Sequence, residues 1–272
     1  MSAPPHADPA WGVFETMLVL AGRAVELDAH VERLRASVAA LYDSELPEGT
    51  RTLAVKRAAG IEHGKLRLTY APPRSGAAPA AASARPELRL DAEEVEATAV
   101  FPGPERGVSL SPVTVAGGLG EHKWADRRLL ERAASAAAPG ELPLLLDADG
   151  SVLEASRASV FAIVGGRVVT PPTDGRILPS LARRQAIEVA LEAGIEVGEG
   201  RLTLADLHRA EVFLTGSVRG VEPARAIAGA ALAPVGELSA RIAAGLRSRW
   251  LGPAAEPVAA AAGGRRDDPP GR

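Results

Sequence analysis

The stretch that decides how this chain folds is GVFETMLVLAGRAVELDAHVERLRAS, residues 12–37. It opens with extended segments joined at Ala21-Gly22-Arg23, the composition of a tight hairpin turn. Asp28 stands where a helix N-cap is expected. Val31, Leu34, Val38 and Leu41 then recur at three- and four-residue steps, which predicts a helix over AHVERLRASVAALY, residues 29–42, with those four on its buried stripe. Arg33 lies beside the stripe, so its guanidinium can run along the domain face rather than straight into solvent. A hairpin feeding a helix through short turns points to an α+β arrangement.

Working outward, the pattern continues. GTRTLAVKRAAG, residues 49–60, predicts a second helix that stops at Gly60. KLRLTYAP alternates like a half-buried strand, and ELRLDAEEVEATAV resumes strand character. Between them, residues 74–85 form an Ala/Ser/Pro low-complexity loop. FPGPERG, within residues 101–110, suits a linker between a small domain (1–100) and a larger one (111–251). The lysine segment EHKWADRRLLERA is expected to begin a helix of roughly a dozen residues. LPLLLDADGSVLEAS and VFAIVGGRVVTPP each read as strand, turn, strand. A helix follows from about Leu181 to Glu192, with Ile187, Ala190 and Leu191 facing its core and Gly194 as its stop. EVFLTGSVRGVEP is a strand entering a glycine-punctuated turn. Residues 252–272 are too poor in large apolar side chains to order themselves. Strands joined mostly by tight turns favour antiparallel sheets with packed helices over a doubly wound parallel sheet.

Composition excludes several function classes. The 272 residues carry a net charge of −3, which offers no electrostatic reason to bind nucleic acid or an anionic membrane. There is no cysteine, so disulfides, thiolate catalysis and cysteine-ligated zinc are ruled out. The five histidines are scattered without ligand spacing, so no metal site is expected. Neither a P-loop, a G-x-G-x-x-G nor a G-x-S-x-G motif occurs. The start, MSAPPHADPAWG, lacks a basic region followed by an apolar run, and no membrane-length apolar stretch appears, so a cytoplasmic protein is expected.

Only three of the 31 cationic Lys/Arg side chains are lysine: Lys56, Lys65 and Lys123. A desolvated lysine can lose its proton and act as nucleophile or base, whereas arginine effectively cannot. Lys123 lies in EHKWADRR, and other segments supply groups that would complement it. DGSVLEASRASVF places Glu154 and Ser156 after a hairpin turn. LPSLARR begins a helix and LTGSVRG ends a strand, and both suit an anion. Ser180 and Ser217 could contribute hydroxyls and Arg33 a fork of donors. A lysine, a carboxylate and an anion cradle together suit pyridoxal 5′-phosphate, which needs a Schiff-base lysine, a phosphate site and a partner for its ring nitrogen. Serine, arginine and glutamate are common, and residue types alone leave a solvated surface lysine as the competing reading.

GVFETMLVLAGRAVELDAHVERLRAS, DADGSVLEASRASVF, VVTPPTDGRILPSLARRQAI and AEVFLTGSVRGVEP occur in an order that resembles the class IV, fold-type IV pyridoxal-phosphate enzymes over about residues 12–227. That family includes branched-chain and D-amino-acid aminotransferases and 4-amino-4-deoxychorismate lyase. The resemblance implies a two-domain α+β fold of the D-amino-acid aminotransferase type, pyridoxal 5′-phosphate as cofactor, and a homodimer. It makes Lys123 the Schiff-base lysine and proton shuttle, and Glu154 the partner of the ring nitrogen. Arg33, in the H-x-x-R-L pattern with His30 and Leu34, becomes a phosphate ligand. The family's Gly-Ile/Val-Thr phosphate turn aligns with Ser180-Leu181-Ala182, which replaces its glycine and threonine. Ser217 matches the second phosphate turn, and Ser156 belongs to the E-x-S motif. Ser159 stands where the family usually has asparagine.

Branched-chain aminotransferases commonly carry a tyrosine five residues after the lysine, where this chain has Arg128. HKWADRR is instead similar to the K-x-x-N-R pattern of the lyases, with Asp126 for asparagine and Arg127 retained. The resemblance therefore implies a lyase that releases 4-aminobenzoate and pyruvate from 4-amino-4-deoxychorismate for folate synthesis, functionally linked to aminodeoxychorismate synthase. Arg127 and Arg219 are candidate binders of substrate carboxylates, and each would serve equally as a structural ion pair. An aminotransferase of branched-chain or D-amino acids is the main alternative, and a non-catalytic member of the fold the other.

Overall fold

The computed structural model of the chain describes residues 6–73 and 86–252. The Ala/Ser/Pro loop at 74–85 and the tail from residue 253 lie outside the described residues. Two sheets organise the rest. The first contains β1 (Val13–Leu20), β2 (Arg23–Ala24), β3 (His63–Ala71) and β4 (Glu87–Glu94), in the order β2-β1-β3-β4 and antiparallel throughout. The hairpin at Ala21-Gly22 forms as expected, pairing Leu20 with Arg23.

Strand alternation assigns the two faces of this sheet. Val13, Met17 and Val19 on β1, with Leu66, Leu68 and Tyr70 on β3, pack beneath α1 (Leu27–Tyr42) and α2 (Thr50–Ala58). Val31, Leu34 and Val38 of α1 are buried there and Leu41 is partly buried. Fully burying side chains of this size contributes about 1.5–3 kcal/mol each. The start of α1 differs from expectation. Leu27, itself buried, opens the helix after Glu26 in a left-handed conformation. Asp28 is thus inside the first turn, where it accepts from Arg51 of α2 at 2.5 Å instead of capping.

The second sheet runs β10-β9-β8-β11-β12-β5-β6-β7. Its strands are β5 (Val108–Thr114), β6 (Glu141–Leu146), β7 (Val152–Ala155), β8 (Ser159–Val164), β9 (Arg167–Thr170), β10 (Val197–Glu199), β11 (Glu211–Gly216) and β12 (Gly220–Ile227), with the short β13 (Ala230–Ala231) beside β12. The Ala155–Ala158 bridge brings β7 back against β8 and closes six strands into a ring. Leu110, Leu144, Val160, Leu214 and Ile227 belong to one core of this sheet. Another core joins Phe161 and Phe213, stacked at 5.0 Å, to α4 (Leu181–Glu192) and α6 (Glu237–Leu251). Leu18, Leu20 and Val25 of the first sheet enter this second core, so the two sheets share buried surface. α5 (Leu204–Leu207) is a single turn held by a Thr203–Asp206 capping box.

Most pairings are antiparallel, but β5 lies parallel to both β6 and β12, and β9 parallel to β10. The helices α3 (Arg128–Ala136) and α4 supply the crossovers that parallel neighbours require. β5 begins at Val108, inside the stretch expected to be linker. Ala190 is buried as expected and Ile187 partly so, but Leu191 is 58% exposed, and Ala182, Ala186 and Val189 complete the buried stripe of α4. Lys123 does not start a helix either. Phe14 N–H donates to the Lys123 carbonyl at 2.9 Å, and Ala125 N–H to the Gly12 carbonyl at 2.9 Å. This pairing with β1 holds residues 123–125 extended, and α3 waits until Arg128.

Candidate active site

A cleft of about 400 Å³ opens where the two sheets meet, lined by Lys123, Glu154, Ser156, Arg33, Ser180, Ser217, Arg127 and Arg219 among others. Eight residues singled out from sequence thus converge from β1's neighbour helix, the lysine loop, the β7–β8 turn, the α4 cap and the β11 end. Leu181 and Ala182 do not line it: their side chains are buried. What the α4 start presents is backbone, since the first-turn N–H groups of a helix have no intrahelical acceptor. Ser180 caps the helix by accepting from Arg183 N–H at 3.3 Å, which leaves its own hydroxyl proton free to donate.

Lys123 is half-buried, and desolvation pulls its ammonium down to about 8, with repulsion from Arg127 helping and Glu15 and Glu154 opposing. Glu154 is 9% exposed, and burial pushes its carboxyl up to about 7 against the pull of Lys123, a Leu178 N–H bond and Arg127. Among the described residues neither forms an ion pair within 4.0 Å. Ser159, 2% exposed and also on the cleft, has a hydroxyl with no hydrogen-bond partner. A buried carboxyl with no side-chain donor, a buried hydroxyl with no partner and a desolvated amine with no carboxylate beside it are costly unless a ligand satisfies them.

Arg33 reaches the cleft in a fixed pose. Its Nε and Nη2 donate to the two oxygens of Glu15, both at 2.7 Å, and its Nη1 donates to the Pro179 carbonyl at 2.8 Å. A guanidinium has five N–H donors; three are engaged, and two remain for an anion. His30 Nδ1 donates to Glu15 at 2.6 Å. Burial alone would raise the Glu15 carboxyl, but Arg33 and His30 overcome it and hold it at about 2. Burial keeps His30 below its ordinary value, so it serves as a neutral donor.

Sequence reading missed Glu15, although a carboxylate inside an otherwise apolar strand demands partners and is itself a signal. It also missed Arg67. On β3 the residues Leu66, Leu68 and Tyr70 face the core, so Lys65, Arg67 and Thr69 face the other way. The Arg67 guanidinium stacks over the Phe14 ring at 3.8 Å, and its buried Nε has no partner. Lys123 Nζ and the Arg127 guanidinium approach the same ring at 5.0 and 5.8 Å. Arg127 is half-buried and donates to the Ser156 carbonyl. Arg219, by contrast, pairs with buried Glu222 at 3.1 Å, which Arg157 also pairs with at 2.9 Å. Arg128 has left the cleft: it is half exposed and binds Asp126 at 2.7 Å beside Trp11. Its guanidinium, with two backbone N–H groups, holds the Asp126 carboxyl far below the usual range.

The family described as amino-transferase class IV matches residues 12–227. Branched-chain-amino-acid aminotransferase 1, mitochondrial, of Arabidopsis thaliana is 42% identical over 81 residues, 29% of this chain and 21% of that protein. The chain thus spans about a fifth of that relative's length. A hypothetical aminotransferase from Mycobacterium tuberculosis in its PLP-bound form superposes with a TM-score of 0.76 at 25% identity, covering 92% of this chain and 94% of that one. 4-Amino-4-deoxychorismate lyase from Pseudomonas aeruginosa gives 0.75 at 23% identity over 91% and 95%, a likeness of fold. Glu154 and Lys123, with no ion-pair partner among the described residues, and the unpartnered Ser159 hydroxyl fit a bound aromatic cofactor that carries its own polar groups, and the α4 start fits its phosphate. The chain belongs to the class IV aminotransferase family, and pyridoxal 5′-phosphate is its cofactor.

Proposed function

We propose that the chain is a 4-amino-4-deoxychorismate lyase, which converts that substrate to 4-aminobenzoate and pyruvate. The observation that carries this reading is the surplus of cations on the substrate side of the cleft. Arg67 and Arg127 share one aromatic wall with Lys123, and neither arginine has a carboxylate partner within 4.0 Å among the described residues. A substrate with two carboxylates matches two such donors. Residue 128, where branched-chain aminotransferases commonly carry tyrosine, lies outside the cleft, in keeping with a different substrate.

Arg33, Ser180, Ser217 and the α4 N-terminus would hold the cofactor phosphate, and Glu154 would keep a proton on the ring nitrogen. Bound pyridoxal 5′-phosphate supplies an electron sink that acidifies the carbon bearing the substrate amine. Lys123, with its amine free, would take the proton from this ring carbon. With its ordinary value lowered to about 8, roughly a tenth of the amine is unprotonated at neutral pH, against a trace for an exposed lysine. The bond from the ring to the enolpyruvyl oxygen then breaks, Lys123 returns a proton to the departing enolpyruvyl carbon, and the ring becomes aromatic. Substrate atoms divide between the two products with nothing added. Arg67 and Arg127 orient the carboxylates, and Phe14 keeps water from the amine.

The branched-chain aminotransferases among the sequence relatives favour a second reading, transfer of the amino group to a keto acid. The cofactor-loaded protein, given 4-amino-4-deoxychorismate without keto acid, separates the two. The lyase releases 4-aminobenzoate and pyruvate in equal amounts over many turnovers. Failure to form either, with conversion of the bound cofactor to its amine form by branched-chain or D-amino acids, would establish the aminotransferase instead. The homodimer, the division at about residue 100, the cytoplasmic setting and the link to a synthase that supplies the substrate belong to the same proposal.

A further inference from the structure

Lys123 sits in a loop with little regular structure of its own. Residues 115–127 contain Gly117, Gly118 and Gly120, all at positive φ, and no helix or named strand. Beyond the lysine the loop is anchored by its pairing with β1. Ahead of it, Val115 N–H is held by the Leu146 carbonyl, and the glycine turn is held by Asp147 and Arg176. Gly120 N–H donates to the Arg176 carbonyl at 3.2 Å. Gly118 packs so closely on that carbonyl that a Cβ would lie 2.0 Å from its oxygen. Asp147, in the turn after β6, accepts from Gly117 N–H at 2.9 Å through one oxygen and from Arg176 Nη1 at 2.9 Å through the other. The Arg176 guanidinium also grips Asp174, with Nη2 at 2.6 Å. Loop, Asp147 and Arg176 therefore close a ring of contacts.

The residues after Arg176 touch several other parts of the site. Ile177 is buried with Val115, Leu130, Leu145 and Leu153. The Leu178 N–H lies near enough to the Glu154 carboxylate to favour its charged form. The Pro179 carbonyl takes Arg33 Nη1. Ser180 caps α4. A single run, residues 174–180, thus connects the lysine loop, the carboxylate, the fork donor and the helix start. An exposed ion pair by itself contributes about 0–1 kcal/mol. Arg176 differs because its carbonyl holds the loop directly at Gly120 while its side chain holds Asp147, the carboxylate that also accepts from the loop's Gly117 N–H.

We propose that Arg176 is a positioning residue: it clasps the loop carrying Lys123 to segment 174–180, and so sets how deeply the lysine amine sits relative to Glu154 and Arg33. This deepens the active-site reading and rests on Lys123 being the reactive amine. Loosening the clasp admits water to Lys123, and desolvation is the leading cause of its lowered value. The groups that face the amine, Arg127, Arg33, Glu15 and Glu154, remain in place in the variants below.

Competitive acetylation of the full-length, cofactor-free chain across a pH series, with peptide mapping, reads each of the three lysines separately. Arg176→Ala and Gly118→Ala should each move the Lys123 midpoint up by about 1 unit. Lys56 and Lys65 act as references in the same sample and should not move. Arg176→Lys, which keeps a cation near Asp147, should fall between wild type and Arg176→Ala. Arg201→Ala, which removes an exposed arginine bound to Asp149 in the same turn as Asp147 but not touching the loop or Arg176, should change nothing. Gly118→Ala attacks the clasp from the backbone side, so it decides the matter even where Arg176→Ala folds poorly. An unshifted Lys123 midpoint in a folded Gly118→Ala or Arg176→Ala protein overturns the proposal while leaving Lys123 as catalyst. A wild-type Lys123 that titrates like Lys56 overturns both.

Discussion

Glu15, behind Arg33, and Glu154, on the cleft, are both buried carboxylates, 2% and 9% exposed, yet one is held at about 2 and the other pushed to about 7. Burial penalises the charge on each. The difference lies in what surrounds them. Glu15 receives three side-chain donors, from Arg33 and His30, while Glu154 receives one backbone N–H and feels Lys123 and Arg127 only through space. The arginines repeat the contrast. Arg219 and Arg157 share a buried carboxylate, whereas Arg67 stacks on Phe14 with a buried N–H unpaired. Charges ion-paired within the protein build the walls, and those without an ion-pair partner are the ones proposed to meet a ligand. Fold-stabilising and ligand-binding charges are thus distinguishable by their partners, not by their burial.

The contrast can be broken most severely at the unsaturated end. Lys123→Ala should lower turnover by about 10⁴-fold and remove the lysine-linked chromophore of the loaded protein, with its circular dichroism unchanged. Retention of the chromophore would remove Lys123 from the role assigned to it.

The two glutamates should respond with opposite signs. A carboxyl held below its ordinary 4.5 stabilises the fold above that pH, and the contribution drains as pH falls toward 2. Glu15→Gln should therefore cost about 3 kcal/mol at neutral pH and flatten the stability profile between about 4.5 and 2. A carboxyl raised to about 7 contributes stability below 4.5 and loses it as pH rises through 7. Glu154→Gln should then make the cofactor-free protein no less stable at pH 8, while turnover of the loaded enzyme falls by about 100-fold. Denaturant titrations across pH compare the pair directly, and parallel profiles for the two variants would erase the distinction drawn here.

The smallest and sharpest comparison is between arginines. Arg67→Ala should raise KM about 10- to 30-fold with kcat nearly kept, the loss of one charge-assisted carboxylate contact. Arg219→Ala should shift KM by less than about 3-fold and instead lower Tm by a few degrees, because Glu222 loses one of two partners. Equal kinetic effects from the two would show that pairing to Glu222 does not withdraw Arg219 from the substrate.

Much of this site was legible before any coordinates. The 12–37 stretch determines a hairpin and a helix through alternation, a glycine turn and a three-four apolar stripe, because those signals are local. Lys123, Glu154, Arg33, Ser180 and Ser217 stand out by chemistry and by order along the chain. The parallel strand β5 was not legible: its neighbours β6 and β12 are remote in sequence, and Pro112 breaks the short Val108-Ser109-Leu110-Ser111 alternation. The helix expected at Lys123 failed for a similar reason, since pairing with Gly12 and Phe14 outweighs local propensity. Tertiary structure alone decided that Arg128 leaves the cleft, that Arg219 is neutralised and that Arg67 is not. Whether a charge is free depends on which distant residues arrive beside it, and composition and spacing carry no record of that.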